Sequence, residues 1–254
     1  MTMWWAARLS RLKRGKSKVV LVLSGDSRTA FEGQRIRLTV RRAVRIAQAL
    51  DASRVPDVWI YGADCHRLPP IPRDALEAWE ADWAVLAQEP VFAESPVDDN
   101  LLARSAAEFG LFTGSSVAGA MERLRTEYEN SRVPVLVLFH VGSVPDEDRA
   151  VAAQLEKAAG RPLFWQFIAQ SDELPSSVLN RLDDVRAERP EITNAHLNDY
   201  WNLDFSAALD PFHQYAMIRH YARWVRTSRR RPGRDQEGAR RASTGSMRAA
   251  RREG

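Results

Sequence analysis

Residues 18–24 read Lys-Val-Val-Leu-Val-Leu-Ser, are followed directly by Gly25 and Asp26, and decide the fold. A short, Val-rich apolar run without alternation is typical of a strand that is buried on both faces. Because glycine and polar residues follow at once, we expect the chain to leave the sheet in a loop here. The stretch therefore predicts an α/β domain with a polar loop at the carboxyl end of its first strand.

Further apolar runs alternate with helical patterns along the chain. The other predicted strands are residues 57–61, 134–140 and 163–168. Apolar spacings of three and four predict helices over residues 32–50, 74–88, 116–130, 145–159, 175–183 and 210–225, with Ser115 or Ser116 capping the third of these. Strands that alternate with helices favour parallel βαβ units in one α/β domain. Residues 89–112 show no clear pattern, and we interpret Cys65 and His66 as part of a loop.

The net charge of +4 averages over very different segments. Residues 1–18 carry six basic and no acidic residues, and residues 229–254 carry nine arginines against three acidic residues, so residues 19–228 carry −8. Basic terminal segments of this kind can bind a membrane surface or nucleic acid, and both are alternative interpretations here. We favour a solvated tail and an N-terminal segment whose Trp4 and Trp5 pack on the domain. The basic face of the helix after the first strand, from Arg35 to Arg45, is interpreted as solvated.

Cysteine content and hydropathy limit the class of protein. One cysteine excludes an internal disulfide framework and a cysteine-based zinc site. No apolar run reaches the ~18 residues of a membrane span, and no apolar segment follows the basic N-terminus as in a secretory signal. These features predict a cytoplasmic protein. Trp59, Trp165 and Phe167 are expected in the core.

Several segments along the chain carry a family resemblance. They are residues 18–24, 32–35, 46–51, 56–62, 134–139, 161–167 and 179–183, with Trp224 near the end of the last predicted helix. Through them the sequence resembles von Willebrand factor A (vWA) domains of the tellurium-resistance, TerF-like type, over roughly residues 15–226. The resemblance implies a doubly wound, Rossmann-like, mostly parallel sheet flanked by helices. It divides the chain into a basic N-terminal segment (1–17), a vWA-like domain (18–226) and an Arg-rich tail (227–254) whose composition predicts disorder.

Domains of this family typically carry a metal-ion-dependent adhesion site (MIDAS) built from three loops. The first loop is Asp-x-Ser-x-Ser, the second supplies a Thr and the third an Asp, usually within Thr-Asp-Gly. In this sequence those positions fall on Ser24, Asp26 and Arg28, then on Ser115 or Ser116, then on the stretch from Val141 through Gly142 to Ser143.

The resemblance therefore implies a degenerate MIDAS. Both expected carboxylates are missing, and a guanidinium that stays charged would repel a divalent ion. Mg²⁺ needs oxygen ligands in near-octahedral geometry, so we predict no cofactor, with Mg²⁺ as the less favoured alternative. Our hypothesis is that Arg28, paired with Asp26, takes the place of the cation.

The family resemblance implies a non-catalytic protein-binding or scaffold domain, in a stress-response or tellurium-resistance-type system, with an unidentified protein partner. The three loops would form the recognition surface. Arg28 would receive a partner carboxylate directly through a bidentate hydrogen bond.

An enzyme interpretation stands beside the binding interpretation. Gly25-Asp26-Ser27 also resembles the first block of GDSL-type serine esterases. Ser27 would be the nucleophile, His213 the general base and Asp210 the orienting carboxylate. The Gly-x-Asn-Asp block of those enzymes is absent from the sequence.

Overall fold

The structure is a computed structural model, and the description below concerns the residues that it places. These are residues 11–26, 28–32, 35–86, 100–142, 148–168, 179, 182, 185, 188–198 and 211–228. The predicted helix over residues 175–183 lies almost entirely outside them. So do the first ten residues and the tail beyond residue 228.

The described strands form one mostly parallel sheet. In chain order they are β1 (Lys18–Ser24), β2 (Asp57–Tyr61), β3 (Cys65–Arg67), β4 (Val135–His140), β5 (Leu163–Ile168) and β6 (Ala195–Asn198). Their order across the sheet is β3-β2-β1-β4-β5-β6, and every pair is parallel except β2 with β3. This arrangement confirms the predicted α/β class, and β1 lies in the interior of the sheet.

The described helices are α1 (Arg28–Glu32), α2 (Arg35–Leu50), α3 (Leu76–Trp83), α4 (Leu101–Ser105), α5 (Val117–Tyr128), α6 (Asp148–Ala158) and α7 (Pro211–Ser228). Alternate residues of β1 point into two different apolar clusters. One cluster packs Val19, Leu21 and Leu23 against α2 and α7, and the other packs Val20 and Val22 against α5 and α6. Both faces of the sheet are thus covered, which explains why β1 is apolar throughout.

Two strands differ from the predictions. The residues interpreted as a loop, Cys65 and His66, belong to the short antiparallel strand β3, in which Arg67 pairs with Trp59. Strand β6 reads Ala-His-Leu-Asn and carries no apolar run that could reveal it. Both are edge strands of three or four residues, whose pairing depends on the neighbouring strand more than on their own pattern.

The basic face of α2 is not solvated as interpreted from the sequence. Glu80 of α3 is 1% exposed and accepts hydrogen bonds from Nε of Arg37 at 2.7 Å and Nε of Arg41 at 2.8 Å. Arg42 is buried as well, at 6% exposure. The arginines of α2 therefore hold α3 against the domain through a shared buried carboxylate.

None of the helices that the structure describes combines the length and the apolarity needed to cross a membrane.

Candidate functional site

The loops after β1 and β2 meet the segment before α5 at the carboxyl edge of the sheet. The backbone N–H of Gly25 donates to the carbonyl of Tyr61 at 2.7 Å, and Gly25 accepts from the N–H of Phe112 at 2.7 Å. The N–H of Ser116 donates to the carbonyl of Gly62 at 3.0 Å. The structure therefore brings together the first and second loops that the sequence singled out.

Glycine permits the close approach of these loops. A Cβ atom added to Gly62 would overlap the carbonyl of Gly110 and lie 3.1 Å from Cα of Leu111. A Cβ atom added to Gly25 would lie 2.7 Å from Cδ2 of Leu111. The segment from Gly110 to Ser116 is thus fitted against the ends of β1 and β2 with no room for side chains at these positions.

Phe112 adopts a left-handed backbone conformation, with φ of +62°. This conformation raises the free energy of a bulky residue, so it persists only where the surrounding structure imposes it. Such strained residues occur most often at functional sites. Here the hydrogen bond to Gly25 and an edge-on contact with Phe31, with ring centroids 6.0 Å apart, hold the residue. Sequence reasoning missed Phe112 because nothing in its neighbours signals a positive φ for an aromatic residue.

Asp26 connects the first loop with the third. Its Oδ1 atom accepts a hydrogen bond of 2.8 Å from Oγ of Ser24. Its carboxylate lies against Gly142, where an added Cβ would overlap Oδ1 and lie 2.7 Å from both Cγ and Oδ2. The Oδ2 atom is shielded from solvent and has no hydrogen-bond partner in the described part of the chain. Asp26 therefore fills the space that a side chain at position 142 would occupy.

That Arg28 pairs with Asp26 stays a prediction, since the hydrogen bond that the structure describes for the Asp26 carboxylate is the one from Ser24. Arg28 is half-buried at the first residue of α1 and takes part in at least one polar or electrostatic interaction. It nonetheless lies two residues after Asp26, at the edge of the sheet where the sequence placed it.

His140, at the end of β4, is a member of the site that sequence reasoning missed. Part of the residue is exposed, yet its Nδ1 atom is inaccessible to solvent and has no hydrogen-bond partner within the described residues. Burial lowers the pKa of His140 to about 4; the nearby Asp26 carboxylate opposes this effect and Arg35 reinforces it. His140 is therefore neutral at physiological pH, and its backbone carbonyl accepts from the hydroxyl of Tyr61 at 3.2 Å.

The two serines of the second loop have different roles. Ser116 caps α5, as predicted, and its Oγ accepts from the N–H of Gly119 at 3.1 Å. Ser115 is half-buried beside it. Ser143 of the third loop lies outside the described residues.

Among the described residues, the three loops do not supply the ligand set of a MIDAS cation. The Asp26 carboxylate is the one carboxylate that the described loops supply, and one of its oxygens is already bonded to Ser24. Ser116 uses its hydroxyl oxygen for the helix cap. Among the described residues, no three His, Cys, Asp or Glu side chains are grouped so that they could hold a metal ion.

The esterase interpretation is not tested by the structure. Ser27 and Asp210 lie outside the described residues, and so does the side chain of His213.

In open α/β sheets, ligands generally bind outside the carboxyl ends of the strands, and this is the edge at which the loops of this domain are fitted together. The chain belongs to the vWA-TerF-like family, described as the vWA domain found in the TerF C terminus, whose family model matches residues 14–233. The fold is accordingly the doubly wound, Rossmann-like vWA fold that the sequence resembles.

Solved vWA structures are similar to the chain at low identity. Proximal thread matrix protein 1 of the mussel byssus gives a TM-score of 0.48 at 7% identity, over 83% of this chain and 48% of that chain. A form of that protein with a zinc-occupied MIDAS motif gives a TM-score of 0.47 at 7% identity, over 83% of this chain and 49% of that chain. The ArnB paralog VWA2 from Sulfolobus acidocaldarius gives a TM-score of 0.41 at 12% identity, over 81% of this chain and 44% of that chain.

The chain spans about half the length of these solved structures. Comparison with curated proteins gives no significant match.

Proposed function

We propose that this vWA domain is a non-catalytic protein-interaction or scaffold domain that binds its partner without a divalent cation. Membership of the vWA-TerF-like family supports a role in protein interaction. The observation that carries the cation-free part is the position of Asp26, whose carboxylate occupies the space beside Gly142 and is bonded to Ser24. The first and third loops are thus in contact through protein groups, which supports binding without a cation.

Arg28 is the group that we propose for contact with the partner. In a MIDAS the cation attracts a carboxylate of the ligand, and a guanidinium offers the same charge with two parallel donors. Arg28 begins α1 directly after the first loop and is half-buried, so less of its freedom is lost on binding than for a fully exposed arginine. The neutral His140 and the hydroxyl of Ser115 lie at the same edge of the sheet and are available as hydrogen-bonding groups for a polar partner.

The wider setting is also part of this proposal. The family to which the chain belongs supports a role in a stress-response or tellurium-resistance-type system. We place the protein in the cytoplasm, and we confine any binding to nucleic acid or to a membrane surface to the basic segments at the two ends.

Two measurements test the proposal. Isothermal titration with Mg²⁺ and with Mn²⁺ should give no binding heat, and micromolar affinity for either ion would contradict it. Affinity capture from a lysate of the source cells should enrich one protein equally with and without a chelator, and Arg28→Ala should abolish its capture. Arg149→Ala is the matched control, because Arg149 is exposed on α6.

Equal capture by wild type and Arg28→Ala would refute the role of Arg28. Hydrolysis of a short-chain ester that disappears in Ser27→Ala would refute the non-catalytic part, since the esterase interpretation depends on that hydroxyl.

A further inference from the structure

Two adjoining clefts lie at the end of the sheet opposite the candidate site. They have volumes of about 450 and 370 Å³, are open to solvent, and share Thr193 and Trp224 in their linings. Their walls are the segments just before β4, β5 and β6 together with the last turns of α7. This is the edge at which the parallel strands begin, so the clefts are separate from the surface proposed above.

The floor of the clefts is apolar and firmly packed. Trp224 is 7% exposed, and its ring lies 5.6 Å from that of Phe164 and 5.9 Å from that of Tyr221, measured between centroids. Pro134 and Pro162 add rigid apolar surface. Pockets of a few hundred Å³ with an apolar floor and a few polar groups at the rim are typical of ligand sites.

The rim of the clefts is basic. Arg132, Arg161 and Arg223 line them, and all three are exposed. Within the part of the chain that the structure describes, their guanidinium groups form no ion pair or hydrogen bond, whereas Arg37 and Arg41 of α2 are bound to carboxylates. The acidic residue in the lining, Glu129, is already paired with Arg125 at 3.2 Å. The clefts therefore present positive charge above an apolar floor.

We propose that these clefts bind an acidic peptide segment of a partner protein, with its carboxylates on Arg132, Arg161 and Arg223 and an apolar side chain against Trp224. Arginine binds carboxylates through charge-assisted, often bidentate hydrogen bonds. The chain's own Arg-rich tail begins where α7 ends, but its nine arginines against three acidic residues make it a poor ligand for a basic rim. A partner segment of opposite charge is the occupant that fits.

The experiment is a selection of peptides from a random displayed library on the full-length chain at physiological salt. We expect the selected peptides to be enriched in Asp and Glu around at least one large apolar residue. Their affinity, measured by fluorescence anisotropy, should fall by at least about tenfold in the double variant Arg132→Glu/Arg161→Glu, because two charged hydrogen-bonding groups are replaced by repulsive ones. Arg149→Glu is the matched control and should bind within about twofold of wild type, since Arg149 does not line the clefts.

Three outcomes would overturn the proposal. These are failure to select any peptide, selection of peptides without an acidic excess, and equal affinity for wild type and the double variant. The last would show that acidic peptides bind the basic ends of the chain and not the clefts. Since the variants leave the opposite edge of the sheet unchanged, none of these outcomes bears on the role of Arg28.

Discussion

The carboxylate of Asp26 lies against Gly142, in the space that any side chain at position 142 would need. In the usual pattern of the family, the third loop supplies its own carboxylate at this position. Here the third loop has a glycine and the first loop supplies the carboxylate. One negative charge is thus retained between the two loops, although it is attached to a different strand and bonded to Ser24.

Gly142→Ala should destabilise the domain by about 1–3 kcal/mol, as overpacking of a tight contact does. The added methyl would lie 2.7 Å from Cγ and Oδ2 of Asp26, so the carboxylate or the third loop must move. Urea denaturation followed by tryptophan fluorescence measures the effect.

The control for this prediction is the double variant Gly142→Ala/Asp26→Ser. Removing the carboxylate makes room for the methyl group. The double variant should therefore lose less unfolding free energy than the two single variants lose together, by a coupling energy of about 0.5–3 kcal/mol. Strict additivity would show that the contact between the two residues does not constrain the loops.

Restoring the family's residues should create a site that binds a divalent cation. The variant with Ser24→Asp, Asp26→Ser, Arg28→Ser and Gly142→Asp has two carboxylates and two hydroxyls at the three loops, which are the ligands that Mg²⁺ and Mn²⁺ prefer. We expect measurable Mn²⁺ binding by calorimetry. The same variant with Arg28 left in place should bind more weakly because the guanidinium repels the ion; equal affinities would place Arg28 away from the cation's position.

The parallel core of the fold could be predicted because its signal is local. Strands β1, β2, β4 and β5 are apolar on both faces, so each appears as a continuous run, and Ser116 stands directly before a helical pattern. The edge strand β3 and strand β6 could not be predicted, since a few residues such as Cys65-His66-Arg67 adopt a strand only through pairing with a neighbour.

The positions of the predicted site residues could be anticipated more readily than their contacts. The family resemblance assigns Ser24 and Asp26 to the first loop and Ser116 to the second, and the structure describes these residues at the carboxyl end of β1 and at the cap of α5. The bond from Ser24 to Asp26 is local, but the packing of Asp26 on Gly142 depends on the approach of loops more than a hundred residues apart. His140 was missed because a histidine at the end of a strand has no pattern that reveals its burial, and Arg37 and Arg41 were misjudged because their partner, Glu80, is distant in sequence.

Glu80→Ala should destabilise the protein by roughly 2–4 kcal/mol. The change leaves Arg37 and Arg41 without the buried carboxylate that both now bind, and breaking a buried ion pair by removing one partner is costly. The arginines remain about a third exposed, which keeps the loss below that of a fully buried pair. Glu77→Ala is the matched control, because Glu77 is 87% exposed and 4.0 Å from Arg41; its free energy of unfolding should stay within about 0.5 kcal/mol of wild type. Equal losses in the two variants would contradict the role of Glu80.

The stability of the domain should fall between pH 6.5 and pH 4 through His140. Burial lowers the pKa of His140 to about 4 in the folded protein, whereas in the unfolded chain it has the ordinary value of about 6.5. As the pH falls below 6.5, His140 becomes protonated in the unfolded chain but stays neutral in the folded protein, so unfolding becomes more favourable. Between pH 7 and pH 5 this group should cost wild type about 2 kcal/mol of unfolding free energy, a loss that His140→Gln should not show. Urea denaturation of both proteins at the two pH values isolates this contribution, because the other titrating groups are common to both. A titration of the His140 imidazole by NMR with a midpoint near 6.5 would contradict the prediction.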